Sequence, residues 1–241
     1  MQSDLDRFWA EALGCAARDL REGMIRLVPS IQRQMQILIT PDGGVVIGPP
    51  PHLYHGAEAT TSQLLDPRFW AACMGVPVTR LTHYGPSDLS YVDARCFTPQ
   101  EHHDARQLER SDAAEVARFA RILQAREPKV FHAWSIGGRV TANERLWGAL
   151  IDGKIVSMGG IRRVNKQLWE VGLNTLPRHR NAGWGTVVAS AATAGGLALA
   201  PLVQWSAPIR NEPSLRIARR LGYRPYAHQL WFTLPEGLFG A

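Results

Sequence analysis

The sequence has few cysteines and no run fit to cross a membrane. Its three cysteines, Cys15, Cys73 and Cys96, all lie in the first 96 residues and lack the spacing of a metal site. An odd count leaves no fully paired disulfide framework, so reduced thiols and a cytoplasmic location are expected. The least charged stretch, about residues 186–203, is mostly Ala and Gly and is broken by Pro201. It is too short and too weakly apolar to span a bilayer. The opening MQSDLDRFWAEALG carries acids where a secretion signal needs bases, and no apolar segment follows it. No internal repeat is evident.

What is present suits an ordinary globular chain. Of 241 residues, 45% are hydrophobic and 20% charged, enough for one large domain or two modest ones. Charge is uneven along the chain. Residues 1–104 hold 8 Lys+Arg against 12 Asp+Glu, a net of −4, and the remainder holds 19 against 9, a net of +10. The second half therefore suits an anionic partner, whether nucleic acid, an acidic protein or a phosphorylated cofactor. Scattered solvated arginines account for the same count equally well.

Asp4 to Arg18 has apolar residues at helical spacing. QMQILIT-PDGG-VVIGPPP reads as a hairpin with a proline stop. LDPRFWAACMG reads as a short helix, and VTRLTHYG and LSYVDA as two short strands. The polar TPQEHHDARQ places a domain boundary near residues 98–106, giving a smaller α/β domain over 1–104 and a second domain over 105–241. In the second domain, ARQLE is a strand. A helix capped by Ser111 or Asp112 follows, and Asp112 with Glu115 fits a capping box. RLWGALI-DG-KIVSMGGIRRV is a hairpin turned by Asp152-Gly153. KQLWEVGLNTL is a long strand, residues 187–200 an Ala-rich helix, PLVQWSA a buried strand, Asn211 to Leu221 a helix that Gly222 ends, and YAHQLWFTL a last strand. The order β-α-β-β-β-α-β-α-β implies an α/β (α+β) layer around a mostly antiparallel sheet.

RHRNAGWG (Arg178 to Gly185) lies between the long strand and the Ala-rich helix. A helix start presents unbonded N–H groups and partial positive charge, and glycines let a phosphate come close. A glycine turn with solvated arginines satisfies the same letters. The loop lacks the Gly-Lys-Ser/Thr of a nucleotide P-loop and the third glycine of a dinucleotide fingerprint, which sets ATP and NAD aside.

LNTLPRHRNAGWG (Leu173 to Gly185), followed one helix and one strand later by NEPSLRIARRLGY (Asn211 to Tyr223), resembles the GNAT superfamily of acyl-CoA-dependent N-acyltransferases over about residues 105–235. The resemblance implies a GNAT-like sheet flanked by helices and acetyl-CoA as co-substrate. It implies that backbone groups of Leu173, Asn174 and Thr175 hold the pantetheine arm. N–H groups of Asn181, Ala182, Gly183, Trp184, Gly185 and Thr186 would cradle the pyrophosphate with Arg180 nearby, and Asn211 and Ser214 would touch the pantetheine or adenosine. Asn211 also suits a helix N-cap. Trp184 would face the adenine or the core.

Acyl transfer to an amine needs a base, because an amine of pKa near 10 is almost wholly protonated at pH 7. Glu170, on the central strand, is the leading candidate, with a strand-edge or solvated glutamate as its plain alternative. Glu144 and His132 follow. The thiolate leaving group needs a proton, and many relatives carry a tyrosine four residues after the serine of the second motif. Here that position is Ala218, so Tyr223, Tyr226, Ser214 or solvent must serve. The Ala-rich helix and Trp147, Trp169, Trp205 and Trp231 read as packing or pocket walls. RIARRLGYR either holds the 3′-phosphate of coenzyme A or faces water, and water is favoured for most of its arginines.

Three functions follow in order. The first is an N-acetyltransferase moving an acetyl group from acetyl-CoA directly to a small-molecule or peptide amine, as a monomer or homodimer away from membranes. The second is an acyl-CoA-binding regulator whose catalytic groups have decayed. The third, a nucleic-acid-binding protein, rests on a pI of 9.6 alone and no recognition motif supports it. Residues 1–104 read as a degenerate second acyltransferase half or as a cap that shapes the acceptor pocket.

Overall fold

The computed structural model describes residues 1–28, 34–47, 59–100, 105–128 and 144–233. Its elements, in chain order, are α1 (Gln2–Leu13), β1 (Ile25–Val28), β2 (Gln34–Thr40), β3 (Gly43–Ile47), α2 (Thr61–Leu64), α3 (Pro67–Cys73) and β4 (Thr82–Val92). They continue with β5 (Ala105–Gln107), α4 (Ala113–Arg126), β6 (Glu144–Ile151), β7 (Lys154–Arg163) and β8 (Leu168–Thr175). The last four are α5 (Trp184–Leu197), β9 (Leu202–Pro208), α6 (Glu212–Arg220) and β10 (Arg224–Thr233). Two compact units emerge. One takes Met1–Leu89, Ala207–Glu212 and the stretch from Pro225 onward, and the other takes Ser90–Ser206 and Pro213–Arg224.

In the first unit, α1 buries Leu5, Trp9, Ala10 and Leu13 and stops at Gly14, whose φ of 66° closes the helix. That glycine is why the helix ends short of the expected Arg18. β2 and β3 form the expected hairpin, turned by Pro41 and Asp42 with Thr40 opposite Gly43, and β1 runs parallel to β3. β10 pairs antiparallel with β2 from His228↔Ile39 to Thr233↔Gln34. Leu230 and Phe232 thereby join Met35, Ile37, Val46 and Trp70 in one core. The two expected strands around residue 85 are a single β4. Arg21 ties α1 to the hairpin through Asp6 (2.6 Å) and Asp42 (2.8 Å), and the Tyr226 hydroxyl donates to Asp6 at 2.9 Å.

The division differs from the expected boundary at residue 104 for two physical reasons. The chain's last strand belongs with the first unit because its buried face completes that core. The polar stretch before β5 is also not a free linker. The Thr98 N–H donates to the Leu221 carbonyl at 3.0 Å, and the Gln100 N–H donates to the Ser190 hydroxyl at 2.7 Å. Both partners lie in the second unit.

The second unit carries the sheet order β9-β8-β7-β6-β5, antiparallel except for the parallel β8–β9 pair. Asp152 and Gly153 turn the β6–β7 hairpin at φ of 48° and 72°, as their sequence implies. Helices cover both faces. On one, α4 packs Val116, Phe119 and Leu123 against Leu146, Met158 and Leu176. On the other, α5 lies so close that a Cβ at Gly195 would fall 2.2 Å from the Trp147 ring and one at Gly159 would fall 2.8 Å from Val188. The small residues of α5 are therefore a packing requirement. Asp112 precedes α4 without capping it. Its carboxylate accepts instead from the Glu109 N–H (2.8 Å) and from Arg106 (2.7 and 2.8 Å), and Glu115 accepts from the Ile155 N–H.

Candidate active site

The site begins where two parallel strands part. β8 and β9 pair from Leu168↔Leu202 to Val171↔Trp205, and the pairing stops there although β8 runs on to Thr175. The ladder on its other edge says which backbone groups face the gap. The Leu176 N–H donates to the Val156 carbonyl at 2.9 Å, and the Val164 N–H donates to the Leu168 carbonyl at 3.0 Å. Antiparallel bonding alternates residue by residue, so the even residues of β8 bond to β7 and the odd ones turn the other way. Leu173 and Thr175 thus direct their N–H and C=O groups into the gap, the arrangement the pantetheine expectation needs. Asn174 does not. Its backbone is committed to β7, and its carbonyl also accepts from the Ser157 hydroxyl at 3.3 Å.

After β8 the chain makes a turn over Pro177–His179 and reaches α5 through an exposed loop. Asn181 and Gly183 both have positive φ, 61° and 87°. The N–H groups of Asn181, Ala182, Gly183 and Gly185 make no backbone hydrogen bond among the described residues. They sit at the positive end of a 14-residue helix. Thr186 leaves the expected set, because its N–H donates to the Gly183 carbonyl at 2.9 Å. The backbone N–H groups left for the expected cradle are those of Asn181, Ala182, Gly183 and Gly185. Trp184 is half-buried within it.

Arg180 is already engaged. Its guanidinium forms a two-pronged pair with Glu127, just past α4, and its Nε donates to the Thr175 carbonyl at 3.1 Å. It braces the loop against α4. Next to it, Arg118, Arg121, Arg126, Arg178 and His179 surround a cavity of about 460 Å³ floored by Ile122, Ala125, Leu176 and Pro177. The loop therefore lies in a positive field, which favours an anionic cofactor. In α6, the Ser214 hydroxyl accepts from the Trp205 indole at 3.1 Å, and Ile217 approaches Gly185. Asn211 is exposed and donates its N–H to the Pro208 carbonyl.

Glu170 sits one residue before the last β8–β9 pair, in a central strand rather than at an edge. It belongs to a polar row running across the sheet. Arg162 lies directly opposite it on β7 and pairs with it, and Gln204 lies opposite it on β9 and donates at 3.3 Å. The buried Tyr91 hydroxyl in turn donates to Gln204 at 2.7 Å. Arg162, Gln204, Tyr91 and Glu127 were not singled out from sequence. Register identifies the first two, but nothing local marks Tyr91 or Glu127.

The expected acids are poorly placed. Tyr223 is 3% exposed, shares a 2.7 Å hydrogen bond with Thr193 of α5 and packs edge-on against Trp205. Burial pushes its hydroxyl well above the usual range, making it a weaker proton donor. It is a core residue, and the catalytic role expected of it is withdrawn. Tyr226 is spent on Asp6 in the first unit, and Ala218 is buried. His132 and the Glu144 side chain lie outside the described residues. Trp147, Trp169 and Trp205 are buried, whereas Trp231 stacks on Tyr84 in the first unit. Arg216, Arg219, Arg220 and Arg224 are exposed. No helix among the described residues is long and apolar enough to cross a membrane, and no metal-binding cluster occurs among them.

These features coincide with what the chain is similar to. The family model for the acetyltransferase (GNAT) family matches residues 102–223. No curated protein matches. Among solved structures, a GNAT-family protein from Novosphingobium aromaticivorans shares 22% identity with a TM-score of 0.51, over 65% of this chain and 67% of that one. A GCN5-related N-acetyltransferase from Kribbella flavida shares 23% identity with a TM-score of 0.48, over 65% of this chain and 61% of that one. A tandem GNAT protein from the clavulanic acid biosynthesis pathway shares 15% with a TM-score of 0.47, over 82% and 63%. The likeness to the first extends to the fold, and with the family model covering residues 102–223 the chain belongs to the GNAT acetyltransferase family.

Proposed function

We propose that this chain transfers an acetyl group from acetyl-CoA directly to an amine, without a covalent enzyme intermediate. The observation that carries the reading is the parting of β8 from β9 beside Val171, with the Leu173 and Thr175 backbone turned into the gap and the N–H groups of Asn181, Ala182, Gly183 and Gly185 immediately after. The first feature suits the amide-bearing pantetheine arm, which can pair with β8 as a strand would. The second suits a pyrophosphate.

The chemistry then falls at the start of the gap. Glu170, directly or through water, takes a proton from the ammonium form of the acceptor, a contribution of about 10²–10⁴ in rate. The amine nitrogen bonds to the thioester carbonyl carbon, and a β8 N–H directed into the gap offers a donor to the oxyanion. The nitrogen of the adduct gives up its surplus proton to water, the C–S bond breaks, and the coenzyme A thiolate takes a proton from solvent, Tyr223 and Tyr226 both being enclosed. The three cysteines are all unpaired, which supports a reducing, cytoplasmic setting.

The test is a calorimetric titration with acetyl-CoA, followed by a thiol-release assay over a panel of amines. Binding with release is expected. Absence of binding at millimolar acetyl-CoA overturns the reading, whereas tight binding with no release from any amine transfers the chain to the decayed-regulator alternative.

A further inference from the structure

The side-chain amide of Asn174, 8% exposed, has no hydrogen-bond partner for its Nδ2 among the described residues. A buried donor left unpaired is destabilising, and a ligand that offers it an acceptor relieves that cost.

Its position shows what that partner meets. Successive β8 side chains alternate between the two faces of the sheet. A Cβ at Gly185 of α5 would lie 3.2 Å from both Leu173 and Thr175, which fixes the odd residues on the α5 face. Leu176 packs into the α4 core. Glu170, Gly172, Asn174 and Leu176 therefore share the α4 face. On β7 the residues directly opposite the first three are Arg162, Gly160 and Met158. Two glycines, Gly160 and Gly172, stand side by side between Glu170 and Asn174, so neither strand puts a side chain there. A chain lying along β8 at this point meets backbone, with a carboxylate at one end and an unpaired amide donor at the other. The two positions are four residues apart, about 13 Å at ~3.3 Å per residue.

We propose, building on the acetyltransferase reading with Glu170 as base, that Asn174 determines acceptor specificity by donating to a carbonyl of the acceptor. The substrate class is then a peptide-like amine whose chain lies over Gly160 and Gly172. An alkylamine of equal length fills the same space but leaves the Asn174 amide unpaired. A site built to hydrogen-bond its substrate rejects analogues that lack the group, because its own polar atom then stays buried and unmatched. The glycine pair fits this assignment, since Gly172 is half-buried and neither glycine puts a side chain between Glu170 and Asn174.

The test compares triglycine amide with hexylamine as acceptors in the thiol-release assay, using the full chain and its Asn174→Leu and Asn174→Asp variants. The wild type should favour triglycine amide in kcat/KM by at least about tenfold. Both substitutions should remove that preference, mainly through the KM for the peptide amide. Asn174→Leu should also keep or raise the melting temperature, because it removes a buried donor that no described protein group satisfies. Equal use of the two acceptors by the wild type overturns the proposal, and so does a preference that survives in Asn174→Leu. A melting temperature that falls by several degrees in that variant overturns it as well, by showing an amide already bonded within the fold. If acetyl-CoA binds in the calorimeter but triglycine amide releases no thiol, the proposal fails on its own. If acetyl-CoA does not bind, the parent reading fails and takes this one with it.

Discussion

Gly183 and Gly185 are two positions apart and are glycine for unrelated reasons. Gly183 has φ of 87° and open space where a Cβ would point, so its constraint is conformational. Gly185 has no such backbone requirement, but a Cβ there would lie 3.2 Å from the Leu173 and Thr175 side chains, so its constraint is steric. Thr175 has little room to retreat, since its hydroxyl is 2.8 Å from that of Ser157. Substitution should separate the two. At Gly183, Asn should be better tolerated than Ala, because Asn enters the left-handed region more readily, while Ala costs about 1–2 kcal/mol. At Gly185 the order should reverse, with Asn worse than Ala because bulk is what the site refuses. Thermal unfolding of the four variants checks this, and the same order at both positions would refute the distinction.

The Arg180–Glu127 pair leads to a second expectation. Glu127 offsets the charge of an arginine that lies just before the proposed phosphate cradle. Glu127→Gln should tighten acetyl-CoA binding by about threefold at low ionic strength and lose that gain in about 0.5 M salt, where such charges are screened. Arg180→Ala should weaken binding in the same titration. Unchanged affinity in both variants would mean that Arg180 only braces α4. As a partly exposed pair, it contributes at most about 1 kcal/mol to stability.

Tyr223 tests the withdrawn acid. Tyr223→Phe should leave kcat within about twofold of wild type, since the hydroxyl is enclosed against Thr193. It should cost about 1–2 kcal/mol in stability, because Thr193 is fully buried and loses its partner. A drop in kcat of a hundredfold with unchanged melting would restore Tyr223 to the chemistry.

The parts of the fold that local chemistry dictates were legible in the sequence. Asp152-Gly153 announces its turn, the glycines announce the loop before α5, and the two motifs announce the family. What escaped depends on pairing between distant segments. Nothing in YAHQLWFTL says that its partner is QMQILIT, nearly 200 residues earlier. Without that pairing the last strand reads as part of the second domain. Within the motif, sequence alone treats Leu173, Asn174 and Thr175 alike. The β7–β8 register then separates them, turning two backbones into the gap and one side chain to the opposite face. The capping box expected at Asp112 failed for a similar reason, since Arg106 on β5 competes for the carboxylate that the helix would have used.

That competition makes stability depend on pH. Arg106 and the Glu109 N–H hold the Asp112 carboxyl at about 2, below its ordinary value near 3.9. Between those values the unfolded chain binds the proton more readily than the folded one does. The stabilisation is therefore fully present above about pH 4 and is lost as pH falls toward 2. Arg106 is half exposed, so solvent and salt reduce the effect. Asp112→Asn should melt about 2 °C below wild type at pH 7 in low salt. The gap should narrow as the pH is lowered from 4 toward 2 and should shrink in about 0.5 M salt. A gap that stays constant from pH 7 to 2 would show that Asp112 acts through its shape and neutral hydrogen bonds rather than through its charge.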